Sequence, residues 1–371
     1  MHAPFRIAMI PLCCWLGSTI IARTEQTTGK EIAITKFHKE GKMETTNQTN
    51  QVAESAIPRV ERPKLHAAEK LSYSTVRVLC KNPNGISYGT GFFYDIPHPT
   101  NPNFHIPIIV SNRHVVKDVQ NTTFTMTLAA TNGLPSADQY TINMDNGAYP
   151  WIGHPDPTVD LSFLLIAPAL IHMQQEGKSP FYYAMDSSLI PDDSQLKAVT
   201  QTDEVIMIGY PGALWDNVNN QPIFRKGTLA TNPGKDFCGR HEFLIDMPVF
   251  CGSSGSPVLL FSDGLYFDRE KGQGKLGGRL VLLGINYATI ESTVSGKVVP
   301  VPVPTVVEDG EGTNTVGNSN MNSVLQRYSL ETRMKIPTNI GIIIRSSRLK
   351  EFEEYLFNTP NRSANQGRNG S

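Results

Sequence analysis

Residues 250–258 read Phe250-Cys251-Gly252-Ser253-Ser254-Gly255-Ser256-Pro257-Val258 and continue into Leu259-Leu260-Phe261. Small side chains, then a proline, then an apolar run describe a sharp turn that feeds a strand. Such a turn brings backbone N–H groups together beside one exposed hydroxyl. A centre for acyl transfer needs that arrangement, with a nucleophilic oxygen next to two donors aimed at the oxyanion formed after attack. Ordinary turns between strands use the same residues, so this stretch alone leaves both readings open.

The surrounding texture is that of an all-β domain. From Leu71 onward, short apolar runs recur between Gly, Pro, Asn and Asp, a pattern of short strands and turns. Strands are expected over 74–79, 89–96, 106–110, 124–129 and 161–166. A second set is expected over 204–209, 224–230, 242–247, 256–261, 280–287 and 339–344. Residues 168–196 carry little strand signal and separate the sets, a first barrel at about 71–167 and a second at about 197–345. The expected fold is two small six-stranded antiparallel barrels, for which the first set shows five strands and the second six. Residues 291–337, which include VVPVPVPTVVEDGEG, read as a long exposed excursion. The segment 346–357, SSRLKEFEEYLF, reads as a C-terminal amphipathic helix with Ser346 or Ser347 as N-cap and Leu349, Phe352, Tyr355 and Leu356 on one face. Residues 358–371 form a polar tail.

Composition limits the function classes. The chain has 371 residues, 33 basic against 34 acidic, for a net charge of −1, with 18% charged residues and 5 Cys. A nucleic-acid partner needs a basic surface that nothing here supplies. Five cysteines are too few for a disulfide scaffold, and no apolar run reaches the ~20 residues of a membrane-spanning helix. No Cys/His pair has the spacing of metal ligands, and no metal or organic cofactor is expected. Residues 1–22 resemble a secretory signal, with one Arg at position 6 and an apolar stretch from Ile7. Pro11 interrupts that stretch, and Met43 opens an alternative start. The protein is therefore expected to be secreted or periplasmic if the segment is a signal, and cytoplasmic otherwise. Residues 23–70 are polar, without apolar periodicity, and read as a disordered lead-in.

Two further stretches bear on chemistry. Ile108-Ile109-Val110-Ser111-Asn112-Arg113-His114-Val115-Val116 carries an apolar strand straight into a histidine, where a rigid scaffold can point the imidazole into a cleft. Thr158-Val159-Asp160-Leu161-Ser162-Phe163-Leu164-Leu165-Ile166 begins an apolar strand with a carboxylate. A buried carboxylate needs a partner, and an imidazole N–H would serve. Any single His or Asp is more often structural, and Asp156 is the alternative carboxylate in the same segment.

His114, Asp160 and Ser254 follow in that order, 46 and 94 residues apart. With SNRHVV, VDLSFLLI and GSSGSPV around them, the chain resembles serine peptidases of the trypsin/chymotrypsin fold. Within that family it is most similar to the bacterial HtrA-like and glutamyl-endopeptidase-like branch. GTGFFY at 89–94, VIMIGYPG at 205–212 and LLGINYA at 282–288 add to the likeness, which covers roughly 71–357 without the 291–337 excursion. The resemblance implies two barrels with the active site between them, no cofactor, and a protein or peptide substrate. It implies Ser254 as nucleophile, His114 as general base, Asp160 as the residue orienting it, and the Gly252 and Ser254 amides as the oxyanion hole. It also places Pro248, Asn286, Tyr287 and Ala288 at the substrate pocket.

The chain departs from the family at several points. Ser253 stands where trypsin-type zymogens carry an Asp that pairs with a newly cut N-terminus, and there is no Ile-Val-Gly-Gly start. Pro248 at the pocket base gives no support for Arg or Lys preference. Viral relatives use Cys in a Gly-x-Cys-Gly loop, but Val249 occupies the place of the first Gly before Cys251. Cys80, Cys238 and Cys251 are expected as small buried residues or free thiols, with a Cys238–Cys251 bridge as the alternative on export. The competing function is a catalytically silent binding module on the same fold. An α/β-hydrolase esterase is disfavoured, because Ser256 stands where its elbow needs a second Gly.

Overall fold

The structure is a computed structural model that describes residues 32–33, 55–59, 65–269, 272–297, 305–308, 314–317 and 331–358. The expected signal segment at 1–22, and all but the first residue of the 358–371 tail, lie outside the described residues. Contacts divide the chain into one unit of Met1–Thr289 with Asn339–Ser371 and a second of Ile290–Thr338.

The first unit opens with a large sheet. Its main strands are β1 (Thr75–Asn82), β2 (Gly85–Pro97), β3 (Phe104–Ser111), β4 (Asn121–Ala129), β5 (Pro135–Asp145), β6 (Ile152–Gly153) and β7 (Ser162–Leu165). They lie in the order β5-β4-β1-β2-β3-β7-β6. β3 lies between β2 and β7 and is covered on both faces, which is why its sequence is a continuous apolar run rather than an alternation.

The first set was expected to close as a six-stranded barrel, and instead forms a ten-stranded sheet on an open path. The extra members are the two-residue strands Ile32–Ala33, Ile57–Pro58 and Pro180–Phe181, too short to leave a periodic signal. β5 escaped the apolar-run criterion because its first half is polar and exposed. The alternation of buried Tyr140, Ile142 and Met144 is the signal that marks it.

The second set closes. Strands β8 (Glu204–Gly209), β9 (Ile223–Leu229), β10 (Glu242–Asp246), β11 (Pro257–Ser262), β12 (Arg279–Lys297) and β13 (Glu331–Arg345) form a barrel in the order β8-β9-β10-β13-β12-β11. Closure leaves no unpaired edge. Val205, Phe243, Ile245, Val258, Leu283 and Ile343 fill its interior. A separate core joins residues of the sheet (Phe92, Ile108, Phe163) to residues of the barrel (Ile208, Leu259, Leu282). The segment between the sets, expected to lack strands, carries helix α1 (Ala167–Gln175) and a short helix at Asp193–Lys197.

The C-terminal helix α2 (Lys350–Asn358) follows a 3-10 turn at Ser346–Leu349. Ser346 and Ser347 therefore lie inside that turn and do not cap the helix. Phe352 is fully buried, 4.9 Å from the Phe163 ring and 5.0 Å from the His154 ring. Part of the lead-in expected to be disordered is also structured. Ile57–Pro58 pairs antiparallel with β3, and Ala67–Leu71 is a helix whose Glu69 carboxylate accepts from the His66 N–H.

The second unit contains the outer portions of β12 and β13 and a hairpin of Thr305–Glu308 with Asn314–Gly317. The Thr338 hydroxyl donates to the Ile290 carbonyl at 2.9 Å, and Lys335 pairs with Glu291 at 3.4 Å. Among the described residues, no helix is long and apolar enough to cross a membrane.

Candidate active site

Three loop ends meet in the first unit. β3 ends at Ser111, and the turn after it presents His114. Asp160 lies just ahead of β7, antiparallel to β3, so the pairing of these two strands brings the carboxylate to the imidazole. Ser254 lies in the loop between β10 and β11.

The Asp160 carboxylate accepts two bonds from one residue. Its Oδ1 takes the His114 backbone N–H at 2.9 Å, and its Oδ2 lies 2.5 Å from His114 Nδ1. An ionised carboxylate only accepts, so Nδ1 carries the proton and the lone pair is left on Nε2. That Nε2 lies 3.1 Å from Ser254 Oγ. His114, Asp160 and Ser254 are thus joined in one chain of hydrogen bonds.

The Asp160 end is braced from the His114 side. The Asn112 side chain donates to the Asp160 carbonyl at 2.8 Å, and the Arg113 N–H donates to the same oxygen at 3.3 Å. The Arg113 guanidinium spans the next turn, reaching the His154 carbonyl at 2.8 Å and the Pro157 carbonyl at 2.9 Å. Asp156 is not brought to the imidazole. It accepts from the Thr158 hydroxyl and N–H and pairs with Arg348 at 2.6 Å. The Thr158 hydrogen bonds are the main cause that holds its carboxyl down at about 2.

The nucleophile loop is tied to the sheet through Thr90, on β2. Thr90 Oγ1 donates to the Gly252 carbonyl at 2.8 Å, accepts from the Tyr210 N–H at 3.1 Å, and lies 3.1 Å from Ser256 Oγ. The Thr90 N–H donates to the Ser254 carbonyl at 2.9 Å, and the Thr90 carbonyl accepts from Ser111 Oγ at 2.8 Å. Gly255, with φ +88°, passes so close that a Cβ there would run into the Thr90 carbonyl oxygen.

The Cys251 carbonyl accepts from the Gly212 N–H. A planar trans peptide holds its C=O and N–H antiparallel, so this bond turns the Gly252 N–H the opposite way. Among the described residues, neither the Gly252 nor the Ser254 N–H donates to a protein acceptor. Ser253 is buried and neutral, and its Oγ accepts from the Phe250 N–H at 3.4 Å. An Asp–amine pair with a cut N-terminus has no anion to use at this position.

The four residues expected at the substrate pocket do not gather on one wall. Side chains alternate along a strand, so on β12 Asn286 and Ala288 share one face and Tyr287 takes the other. Asn286 is fully buried and donates to the Ser253 carbonyl at 3.1 Å. The Tyr287 hydroxyl donates to Glu242 at 3.0 Å, beside a cavity of about 450 Å3 that Asp160, Arg240 and Arg348 also line. Burial raises the carboxyl of Glu242. Pro248 is exposed, and Ala288 is buried.

Thr90, Ser111 and Asn112 carry no chemical signal of their own in the sequence. GTGFFY and the Ser-Asn before Arg113 carried them in plain view, but hydroxyls and amides there gain meaning only from what they face. Cys80 and Cys238 are free, so the Cys238–Cys251 bridge does not form. Cys251 is disulfide-bonded rather than the free thiol expected. Among the described residues, no group of three or more His, Cys, Asp or Glu could hold a metal ion.

No curated protein matches the sequence. Solved structures similar to the chain include a substituted form of the HtrA-type protease AlgW with a tripeptide. It is 13% identical with a TM-score of 0.38, covering 78% of this chain and 62% of that one. The chain thus spans less than two-thirds of that protease. A serine endoprotease from Yersinia pestis is 14% identical with a TM-score of 0.36, covering 81% of this chain and 69% of that one. A protease from M. tuberculosis in its active form is 14% identical with a TM-score of 0.34, covering 79% of this chain and 87% of that one. The family model of the trypsin-like peptidase domain matches residues 89–265, the segment that holds His114, Asp160 and Ser254. This segment is a trypsin-like peptidase domain.

Proposed function

We propose that the protein is a serine endopeptidase that cleaves peptide bonds through Ser254. The observation that carries this reading is the hydrogen-bonded chain Asp160–His114–Ser254, with the Nε2 lone pair facing the hydroxyl. Ser254 Oγ attacks the scissile carbonyl while His114 Nε2 takes its proton, and His114 later returns that proton to the leaving amine. Asp160 holds the tautomer and stabilises the imidazolium. The negative charge on the tetrahedral oxygen falls to the Gly252 and Ser254 N–H groups, a contribution of about 3–4 kcal/mol per donor in comparable sites. The free amine leaves as the acyl-enzyme forms, and the new acid is released when water repeats the attack. The site lies where the N-terminal sheet, read as the counterpart of a first barrel, meets the closed barrel. His114 and Asp160 come from the sheet and Ser254 from the barrel. The substrate class is a protein or peptide.

The test is covalent labelling with a fluorophosphonate, followed by peptide mapping. The label is expected on Ser254 and is expected to be absent in Ser254→Ala. Label on another residue, or none on folded wild-type protein, refutes the assignment.

A further inference from the structure

We propose that Asn286 is a positioning residue that aims the Ser254 N–H of the oxyanion hole, an inference that rests on the serine peptidase reading above. Its side chain lies at 0% exposure within the barrel unit, where apolar residues such as Val258, Leu283 and Ile343 make up the core. Nδ2 donates to the Ser253 carbonyl at 3.1 Å. That oxygen can only accept, so the amide orientation is set by its partner. Oδ1 of the same amide is buried without a hydrogen-bond partner among the described residues. An apolar side chain of the same volume would avoid that desolvation cost. What Asn286 provides in return is the bond to Ser253.

That bond acts on the peptide joining Ser253 to Ser254. The peptide is planar, so a donor fixed on its carbonyl also fixes the direction of the Ser254 N–H, which points the opposite way. The Ser253 carbonyl takes a second bond from the Ser256 N–H at 3.1 Å, which closes the turn behind the nucleophile. The backbone of Asn286 adds two more ties. Its N–H donates to the Ser256 carbonyl at 2.9 Å, and its carbonyl accepts from the Gly255 N–H at 2.8 Å. The side chain and both main-chain groups of one β12 residue therefore hold 253, 255 and 256 and bracket Ser254.

The two donors of the hole are aimed by different parts of the molecule. The Gly252 N–H is directed by the Gly212–Cys251 bond, from the loop after β8, and the Ser254 N–H by Asn286 on β12. Replacing Asn286 by an apolar residue keeps the backbone ties but frees the Ser253 carbonyl on one side. The Ser254 N–H is then less well aligned with an oxyanion that exists only in the transition state, so kcat falls while ground-state binding is spared.

The experiment compares wild type, Asn286→Leu and, as a smaller replacement that folds if Leu is too bulky, Asn286→Ala. It reads kcat and KM on a fluorogenic peptide, inhibition by a peptide boronate, and the thermal midpoint. Each folded variant is expected to lose about 100-fold in kcat, the scale of one lost oxyanion donor, with KM changed less than about three-fold. Boronate affinity is expected to fall in step, because its tetrahedral adduct places an oxygen in the hole. A folded variant whose kcat stays within about three-fold of wild type overturns the proposal, as does a loss confined to KM. Wild-type protein with no turnover that depends on Ser254 overturns the peptidase reading and this proposal with it. Turnover that depends on Ser254 but is indifferent to Asn286 overturns this proposal alone.

Discussion

Asp160→Asn is the substitution that isolates the role of the carboxylate with the least disturbance of shape. Asp160 gives one oxygen to the His114 backbone N–H at 2.9 Å and the other to Nδ1 at 2.5 Å. Asparagine has only one oxygen, so it can satisfy only one of the two. If the oxygen stays on the backbone N–H, the amide NH2 faces Nδ1 and demands a lone pair there. The ring proton then moves to Nε2 and points at Ser254 Oγ, so the imidazole can no longer act as a base. The flipped amide keeps the useful tautomer, but it sets two donors face to face and leaves the His114 N–H unpaired. That orientation is disfavoured by about 1–3 kcal/mol, a population penalty of roughly 5- to 150-fold. Loss of the negative charge that stabilises the imidazolium adds to it. The expected total is about 10⁴ in kcat, equivalent to about 5.5 kcal/mol. The assay is peptide turnover at neutral pH, with 15N chemical shifts of the imidazole reading the tautomer and thermal melting reading the fold. Folded Asp160→Asn that keeps more than about a tenth of wild-type kcat refutes the tautomer argument.

Other expectations concern the supporting contacts. Thr90→Val keeps volume but removes the hydroxyl that serves Gly252, Tyr210 and Ser256, and leaves the buried Tyr210 N–H unpaired. It is expected to cost about 2–4 kcal/mol by denaturant unfolding, and an effect under about 0.5 kcal/mol refutes the hub. The depressed Asp156 carboxyl adds stability that is present above its ordinary value of 3.8 and is lost as pH falls towards about 2. Thr158→Val removes the hydroxyl bond and keeps the backbone one, and is expected to raise that titration, as followed by NMR, because the Thr158 hydroxyl is the largest single cause that lowers it. Burial pushes the Cys80 thiol up to about 12. Iodoacetamide is therefore expected to modify the exposed Cys238 in native protein and Cys80 only after unfolding, as read by peptide mass mapping.

Much of the site was legible one residue at a time. Small residues at 252–256 mark a tight loop around a hydroxyl, an apolar strand that runs into His114 marks a histidine at a strand end, and Asp160 opens an apolar strand. These are local signals, because each depends only on neighbours in the chain. The β12 and β13 strands were legible only in part. Their barrel portions are apolar, but both run on into the second unit, where polar residues and the apolar Val294, Met334 and Ile336 alike are exposed and leave no burial pattern. The residues expected at the substrate pocket separate for a different reason. Adjacent residues on a strand cannot face the same cavity, so Asn286 and Tyr287 part company as soon as the strand forms.

The order and type of residues alone determined that the chain is mostly β and that a histidine, an aspartate and a serine lie at strand or loop ends in a trypsin-like order. Only the tertiary structure decided that the pairing of β3 with β7 presents Asp160 to both N–H groups of His114. It also decided that Thr90 and Asn286, 164 and 32 residues from Ser254, are the groups that hold its loop. Hydrogen bonds depend on separation in space and on direction, and neither is encoded in the separation of two residues along a chain.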